Sequence, residues 1–167
     1  LLNTEPPTIA ATDSCSTIKI IDGPGGKITG NVSYGLTANP VPNTMLNLSG
    51  GAPPKGTTDP SGDYLFENLA TGLDYTVVPS KSGDIPPLTV TCFDAALVAR
   101  CAVGLETWND YEKKAADVDE DGKILTFDAA LICRYAVGSP PFGPNDNTGE
   151  WRFMPDSIEY KPLTSTQ

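Results

Sequence analysis

The sequence predicts a mainly β fold that carries a small α-helical insertion. The chain has 16 glycines and 16 prolines in 167 residues, a composition that favours many turns and few long helices. Short segments with alternating apolar and polar residues fill residues 27–83 and return after residue 150, which is typical of β-strands. Between them, residues 84–149 contain a duplicated stretch that is typical of amphipathic helices.

The first 26 residues predict an N-terminal arm followed by one strand. Residues 1–14 are polar, contain prolines and show no period, as in a linker or arm. Residues 16–21 alternate and end at a glycine-rich turn over residues 22–26, which predicts a short strand.

Residues 27–83 show the two-residue period of strands joined by turns. Alternate residues of Ile28–Tyr34 point the same way, and Met45–Leu48 predicts the next strand. The turn Asp59–Asp63 precedes a strand at Tyr64–Phe66, and Tyr75–Val78 completes the series. Short strands at this spacing predict an all-β sandwich.

Three motifs in this region read I-x-G-x-V, G-x-Y-x-F-x-x-L and G-x-Y-x-V. Their residues are Ile28, Gly30 and Val32, then Gly62, Tyr64, Phe66 and Leu69, then Gly72, Tyr75 and Val77 with one extra residue before Tyr75. The pattern resembles the carboxypeptidase-regulatory-like and Cna-B-like family of extracellular domains, which implies an Ig-like β-sandwich. Some members carry a lysine–asparagine isopeptide bond promoted by a glutamate. Because Pro79 stands at that position, no isopeptide bond is expected.

The C-terminal segment predicts two further strands, at Trp151–Phe153 and Ile158–Tyr160. In the resembling family such a strand commonly follows a segment like Val77–Gly83 directly. We therefore expect residues 27–83 plus 150–167 to form the sandwich and residues 84–149 to be an insertion in one of its loops.

The insertion contains an acidic loop with the spacing of an EF-hand. Asp117, Asp119, Asp121 and Asp128 occupy loop positions 1, 3, 5 and 12, with Gly122 at position 6 for the sharp turn and the Lys123 carbonyl at position 7. This predicts a calcium site made by Asp117, Asp119, Asp121, Lys123 and Asp128. Magnesium is the weaker candidate, because it requires strict octahedral geometry. A solvated acidic turn without an ion is the other alternative, and it is disfavoured because it would place repelling carboxylates together.

The loop belongs to an internal repeat. Phe93–Gly104 matches Phe127–Gly138 at a constant offset of 34 residues (93 to 127). The duplicated loop and helix resemble a dockerin type I module, which implies two antiparallel helices, two calcium sites and a cohesin domain as partner. The first loop departs from that pattern, because Gly83, Ile85 and Pro87 replace its first three acids. We therefore expect one strong site, with Asp94 as a helix N-cap; a second ion held by Asp84 and backbone carbonyls is the alternative.

Charge and composition exclude several classes of function. The net charge of −10 disfavours nucleic acid and anionic membranes as partners, and no apolar run is long enough to cross a bilayer. The start of the chain also lacks the features of a signal peptide. No histidine is present, which removes histidine-dependent nucleophilic catalysis and most catalytic zinc sites. The calcium loop accounts for the dense acids, so no enzyme and no catalytic residue are predicted.

The four cysteines, Cys15, Cys92, Cys101 and Cys133, predict two disulfides in an oxidising compartment. Cys101 with Cys133 is the preferred pair, because both lie mid-to-late on helices expected to be antiparallel, which leaves Cys15 with Cys92. The other connectivities remain open. Asn31 and Asn47 begin glycosylation sequons, and whether either carries a glycan also remains open.

Together these features predict a secreted or cell-surface structural or adhesive protein that binds calcium. Its partner would be a copy of itself, in a filament or tandem array completed by strand exchange. The alternative is a cohesin-binding dockerin module that tethers a catalytic subunit to a multienzyme scaffold. Arg100 and Arg134, equivalent in the repeat, would then face the partner unless they are simply solvated charges.

Overall fold

The computed structural model describes residues 11–13, 26–35, 37–50, 55–83 and 89–161. Ten strands and three helices lie in these ranges. They are β1 (Ala11–Asp13), β2 (Gly26–Asn31), β3 (Ser33–Tyr34), β4 (Asn39–Pro40), β5 (Met45–Ser49), β6 (Lys55–Thr57), β7 (Asp63–Leu69), β8 (Tyr75–Ser80), α1 (Cys92–Ala102), α2 (Asp110–Ala116), α3 (Thr126–Ala136), β9 (Arg152–Met154) and β10 (Ile158–Tyr160).

The strands form three sheets, so the prediction of a mainly β fold is confirmed. One has the order β4-β3-β1-β9, the second β10-β8-β5-β6, and the third pairs β2 with β7. The pairs with a defined register, such as β5 with β8 and β2 with β7, are antiparallel. The Ig-like sandwich, the Cna-B-like identity and the domain bounds predicted from the sequence stay predictions.

Part of the predicted arm is a strand. Residues 11–13 form β1, in which Thr12 lies opposite Tyr34 of β3 and Asp13 opposite Ser33. No sequence pattern indicates this strand, because the backbone hydrogen bonds of a sheet require no apolar period in the strand that joins it. The strand predicted over residues 16–21 lies outside the described residues.

By its contacts the chain divides into two compact units. One is built mainly from Ser82–Arg152, which contains all three helices, and the other from Thr12–Lys81 with Phe153–Gln167. In the second unit the predicted alternation is seen directly in β5. Leu46 and Leu48 are buried, whereas Met45, the first residue of this strand, is exposed. Two buried tyrosines, Tyr64 of β7 and Tyr160 of β10, bring their hydroxyl oxygens within 3.0 Å.

The helical unit reproduces the sequence repeat. Val98 of α1 and Ile132 of α3 are equivalent residues, and both are fully buried in the core of this unit. Both helices also end in the same way: the Gly104 N–H donates to the Cys101 carbonyl and the Gly138 N–H to the Tyr135 carbonyl, each at 2.9 Å. Among the described residues, no helix is both long and apolar enough to cross a membrane.

The preferred cysteine pairing is wrong in this structure. The Sγ of Cys133 lies 3.8 Å from that of Cys92, whereas Cys101 packs against the core of the helical unit. The reason is the direction of the helices. The first residue of α1 lies beside the last turns of α3, so two cysteines that are both late on their helices are kept apart. Cys15 lies outside the described residues.

Candidate metal centre

The acidic loop connects the end of α2 to the start of α3. Asp117 caps the C-terminus of α2, and Asp128 lies in the first turn of α3. One carboxylate oxygen from each of Asp117, Asp119 and Asp128 lies within 4.8 Å of the others. The structure thus brings together three of the five predicted metal-site residues.

Asp128 is the anchor of this cluster. Its side chain is 1 % exposed and accepts two backbone hydrogen bonds, from the Val118 N–H at 3.0 Å and from the Leu125 N–H at 2.8 Å. Leu125 is the N-cap of α3 and its own side chain has no acceptor, so Asp128 supplies the polar group at that helix end. The carboxylate therefore joins both ends of the loop.

Asp94, the equivalent residue of the first repeat, is buried but does not act as the predicted N-cap. Helix α1 begins at Cys92 with Thr91 as N-cap, which places Asp94 in the first turn. Its Oδ2 accepts from the Thr91 N–H at 2.6 Å and from the Thr91 hydroxyl at 2.7 Å. Asp84, invoked for a second ion, lies outside the described residues, so the second ion stays a hypothesis.

The turn of the loop is held by Asp117. Its two carboxylate oxygens accept from the Asp121 N–H at 3.1 Å and from the Gly122 N–H at 3.0 Å. Gly122 has a φ of +81°, in the left-handed region that the sixth position of such a loop requires. Asp119 faces the same turn, because its Oδ1 accepts from the Asp121 N–H at 3.2 Å.

Asp121 and Lys123 stand differently from the three clustered acids. The Asp121 carboxylate accepts from the Lys123 N–H at 2.8 Å, and Asp121 is exposed. Asp121 is not among the three acids whose oxygens lie within 4.8 Å of one another, so its ligand role stays a prediction. The ligand role predicted for the Lys123 carbonyl stays a prediction.

The electrostatics of the cluster favour a bound cation. Burial, together with the negative charges of Asp119 and Asp121, raises the pKa of Asp117, although hydrogen bonds from Gly122 and Asp121 oppose the shift. Burial and the charges of Asp119 and Asp117 likewise raise the pKa of Asp128 against its two backbone hydrogen bonds. A cation among these groups would relieve the repulsion between the carboxylates, which adds to the effect of burial on both pKa values.

The donor set also fits calcium in size and chemistry. Calcium takes oxygen ligands at about 2.3–2.6 Å, so two ligands on opposite sides of the ion lie about 4.6–5.2 Å apart. Carboxylate oxygens within 4.8 Å of one another therefore match a single coordination sphere. Carboxylates and carbonyls are the ligands of hard cations, and no histidine or cysteine is part of the cluster.

Arg152 supports the loop from the outside, and sequence reasoning missed it. This buried residue forms an ion pair with Glu120 inside the acidic loop and donates to the Val118 carbonyl at 3.4 Å. The Asn147 N–H donates to the same carbonyl at 3.1 Å. An isolated arginine inside a predicted strand carries no pattern that would link it to a loop far upstream.

An apolar cleft of about 350 Å³ opens beside the cluster. Asp119 lies at one side, and Phe127, Leu131, Phe142 and Asp146 are among its other lining residues. The rings of Phe127 and Phe142 meet edge to face with centroids 5.9 Å apart, and the Arg134 guanidinium stacks 5.5 Å from the Phe142 ring.

Arg134 also donates to the Pro140 carbonyl at 3.1 Å, and Arg100 pairs with Glu106 at 2.8 Å. Both arginines therefore have partners within the unit.

Comparison with known families identifies one segment. Residues 89–136 match the model of the dockerin type I domain, which covers α1, α2, the acidic loop and α3. The match supports the dockerin-type module predicted from the repeat. Searches of curated proteins and of solved structures found no significant match to the chain.

Proposed function

We propose that the helical unit is a docking module that takes up calcium in the loop from Asp117 to Asp128 and binds a cohesin-like domain outside the cell. The main support is that three carboxylates converge within a segment that matches the dockerin type I domain. Modules of this family bind calcium through EF-hand-like loops and join extracellular assemblies.

In this proposal calcium is structural. Asp117, Asp119 and Asp128 hold the ion, and Asp121 and the Lys123 carbonyl complete the shell. The ion offsets the repulsion between the carboxylates and fixes the start of α3 against the end of α2. Folding of the unit is then linked to calcium, with stabilisation that grows with the ratio of free calcium to its dissociation constant.

The exposed side chains of the repeat support a protein partner. Phe93 and Phe127, at equivalent positions, are 53 % and 44 % exposed, and Val103 and Val137 are 62 % and 67 % exposed. Apolar side chains that recur on both repeats offer a surface for docking, since exposed apolar patches commonly mark interaction sites. We assign no catalytic role to the unit.

This function takes precedence over the structural or adhesive assembly expected first from the sequence. The family match favours docking to a cohesin, whereas a homopolymer or tandem array has no comparable support. The partner would tether this chain, and whatever is joined to it, to a scaffold.

The test is binding of the full chain to a panel of type I cohesin domains by biolayer interferometry, in millimolar calcium and in EDTA. We expect binding in calcium that is lost in EDTA and in the double variant D117N/D119N. The control D110N removes a carboxylate that lies on α2 outside the loop and should bind normally.

Isothermal titration with calcium separates the two parts of the proposal. Calcium uptake without any cohesin binding would overturn the partner and keep the metal site, whereas no uptake at all would overturn both. Size-exclusion chromatography of the same samples tests the assembly hypothesis, since a calcium-dependent polymer would favour it over docking.

A further inference from the structure

Two exposed cysteines meet on the surface of the helical unit. Cys92 is the first residue of α1 and Cys133 lies in α3, and their sulfur atoms are 3.8 Å apart. Both are exposed, so oxidants and thiol reagents reach them. Cys101 differs from them, because it is only partly exposed and packs against the core.

We propose that Cys92 and Cys133 form a disulfide that fastens the start of α1 to the end of α3. A disulfide requires the two sulfur atoms to approach to about 2.05 Å, and each sulfur lies on a side chain with a single rotatable bond. The bond would close a loop between residues 41 apart in sequence. This loop contains α2 and the whole acidic loop.

The reaction is a two-step exchange with a small disulfide such as oxidised glutathione. The thiolate of one cysteine attacks the glutathione disulfide and releases one glutathione thiolate. The second cysteine then attacks the mixed disulfide, forms the protein bond and releases the other. Two protons and two electrons thus pass from the cysteines to two molecules of reduced glutathione.

The environment of the pair agrees with an exchange that is slow until a thiolate forms. The hydrogen bond to Cys133, then partial desolvation, raises the pKa of the Cys92 thiol. Exchange should therefore speed up as the pH rises above neutrality, since the thiolate is the attacking species. Once formed, the bond lowers the entropy of the unfolded helical unit, in the usual account of disulfide stabilisation.

The test uses the full chain equilibrated at pH 8 with oxidised glutathione and then alkylated and digested with trypsin. Cleavage places the four cysteines in four separate peptides, spanning residues 1–19, 82–100, 101–113 and 124–134. We expect mass spectrometry to find peptide 82–100 joined to peptide 124–134. The variant C101S should keep this product, and C133S should lose it.

A link between Cys101 and Cys133 or between Cys15 and Cys92, or four alkylated cysteines in the oxidising buffer, would overturn the proposal. Thermal unfolding in EDTA gives an independent readout that does not depend on calcium. The oxidised protein should unfold on the order of 10 °C higher than the reduced protein, with no such difference in C133S. An equal melting temperature in both redox states would contradict the stabilising role.

Discussion

Asp128 accepts a hydrogen bond from the backbone N–H of Val118, ten residues earlier in the chain, at a distance of 3.0 Å. Its second oxygen accepts from the Leu125 N–H at the start of α3. One buried carboxylate therefore closes the acidic loop and faces the other carboxylates of the cluster. Asp128 is thus both the hydrogen-bond acceptor that holds the start of α3 and a predicted metal ligand, and these two roles can be separated by mutation.

The first prediction compares D128A with D94A. Both variants remove a buried carboxylate that accepts hydrogen bonds at a helix start, so both should destabilise the helical unit. Only Asp128 belongs to the carboxylate cluster. At calcium concentrations about 100 times the dissociation constant, the wild type should gain about 2.7 kcal/mol over the metal-free state. D128A should lose this gain and D94A should keep it.

Hydrogen exchange of the α1 and α3 amides, followed in calcium and in EDTA, reports this difference for the helical unit alone. A calcium-dependent slowing of exchange that persists in D128A would contradict the assignment of Asp128 as a ligand. If D94A loses the slowing as well, the loss in D128A would come from the missing hydrogen bonds at the helix start and not from a missing calcium ligand.

The second prediction concerns the backbone of the acidic loop. Gly122 has a φ of +81°, and a methyl group added there would meet no atom within 4 Å. The cost of G122A is therefore conformational alone, about 1 kcal/mol. G143A is the matched control, because its added methyl also meets nothing and its backbone is not left-handed. We expect a lower melting temperature for G122A and no change for G143A, and equal melting temperatures would refute the argument.

The sequence was sufficient to predict the features that depend on local spacing. The positions of Asp117, Asp119 and Asp128 follow from a loop whose register is set by residues close in the chain, and the repeat predicted two equivalent helices. Features that depend on how distant segments pack were not accessible. The proximity of Cys92 and Cys133 follows from the relative direction of α1 and α3. The contacts of Arg152 with Glu120 and Val118 depend on where the chain passes more than 30 residues later.

The third prediction tests Arg152 as a support of the loop. R152M keeps the apolar stem but removes the group that donates to the Val118 carbonyl and pairs with Glu120. Because a charged donor is lost at a buried site, the unit should lose about 1–3 kcal/mol. E120A should cost less, since the Glu120 side chain is 55 % exposed and the ion pair is partly screened.

A double-mutant cycle of R152M and E120A, measured by urea unfolding, should give a coupling energy of about 0.5–1 kcal/mol. Independent effects of the two changes would mean that the ion pair does not stabilise the loop. If R152M leaves the unfolding free energy unchanged, the hydrogen bond from Arg152 to the Val118 carbonyl does not stabilise the loop either.

The fourth prediction concerns pH and rests on Asp146. Partial burial would raise its pKa, but hydrogen bonds from the Phe142 N–H and from the hydroxyl and N–H of Thr148, with the charge of Arg134, lower the pKa below its ordinary value. The carboxylate is therefore deprotonated more readily in the folded state. Its contribution to stability is present above the unfolded pKa of about 3.9 and is lost as the pH falls through the lower folded pKa.

The metal-free wild type cannot show this effect by itself, because the pKa values of Asp117 and Asp128 are raised. Their contributions have the opposite sign: they are present below the unfolded pKa and are lost as the pH rises through the folded pKa.

The useful quantity is the difference in unfolding free energy between the wild type and D146N, both in EDTA. This difference should be constant near pH 6 and should shrink below about pH 4 as Asp146 takes up its proton. D110N, which removes an exposed carboxylate at the start of α2, is the control for the general loss of one negative charge. A difference between wild type and D146N that does not change from pH 6 to pH 2.5 would show that the hydrogen bonds to Asp146 do not favour its charged form.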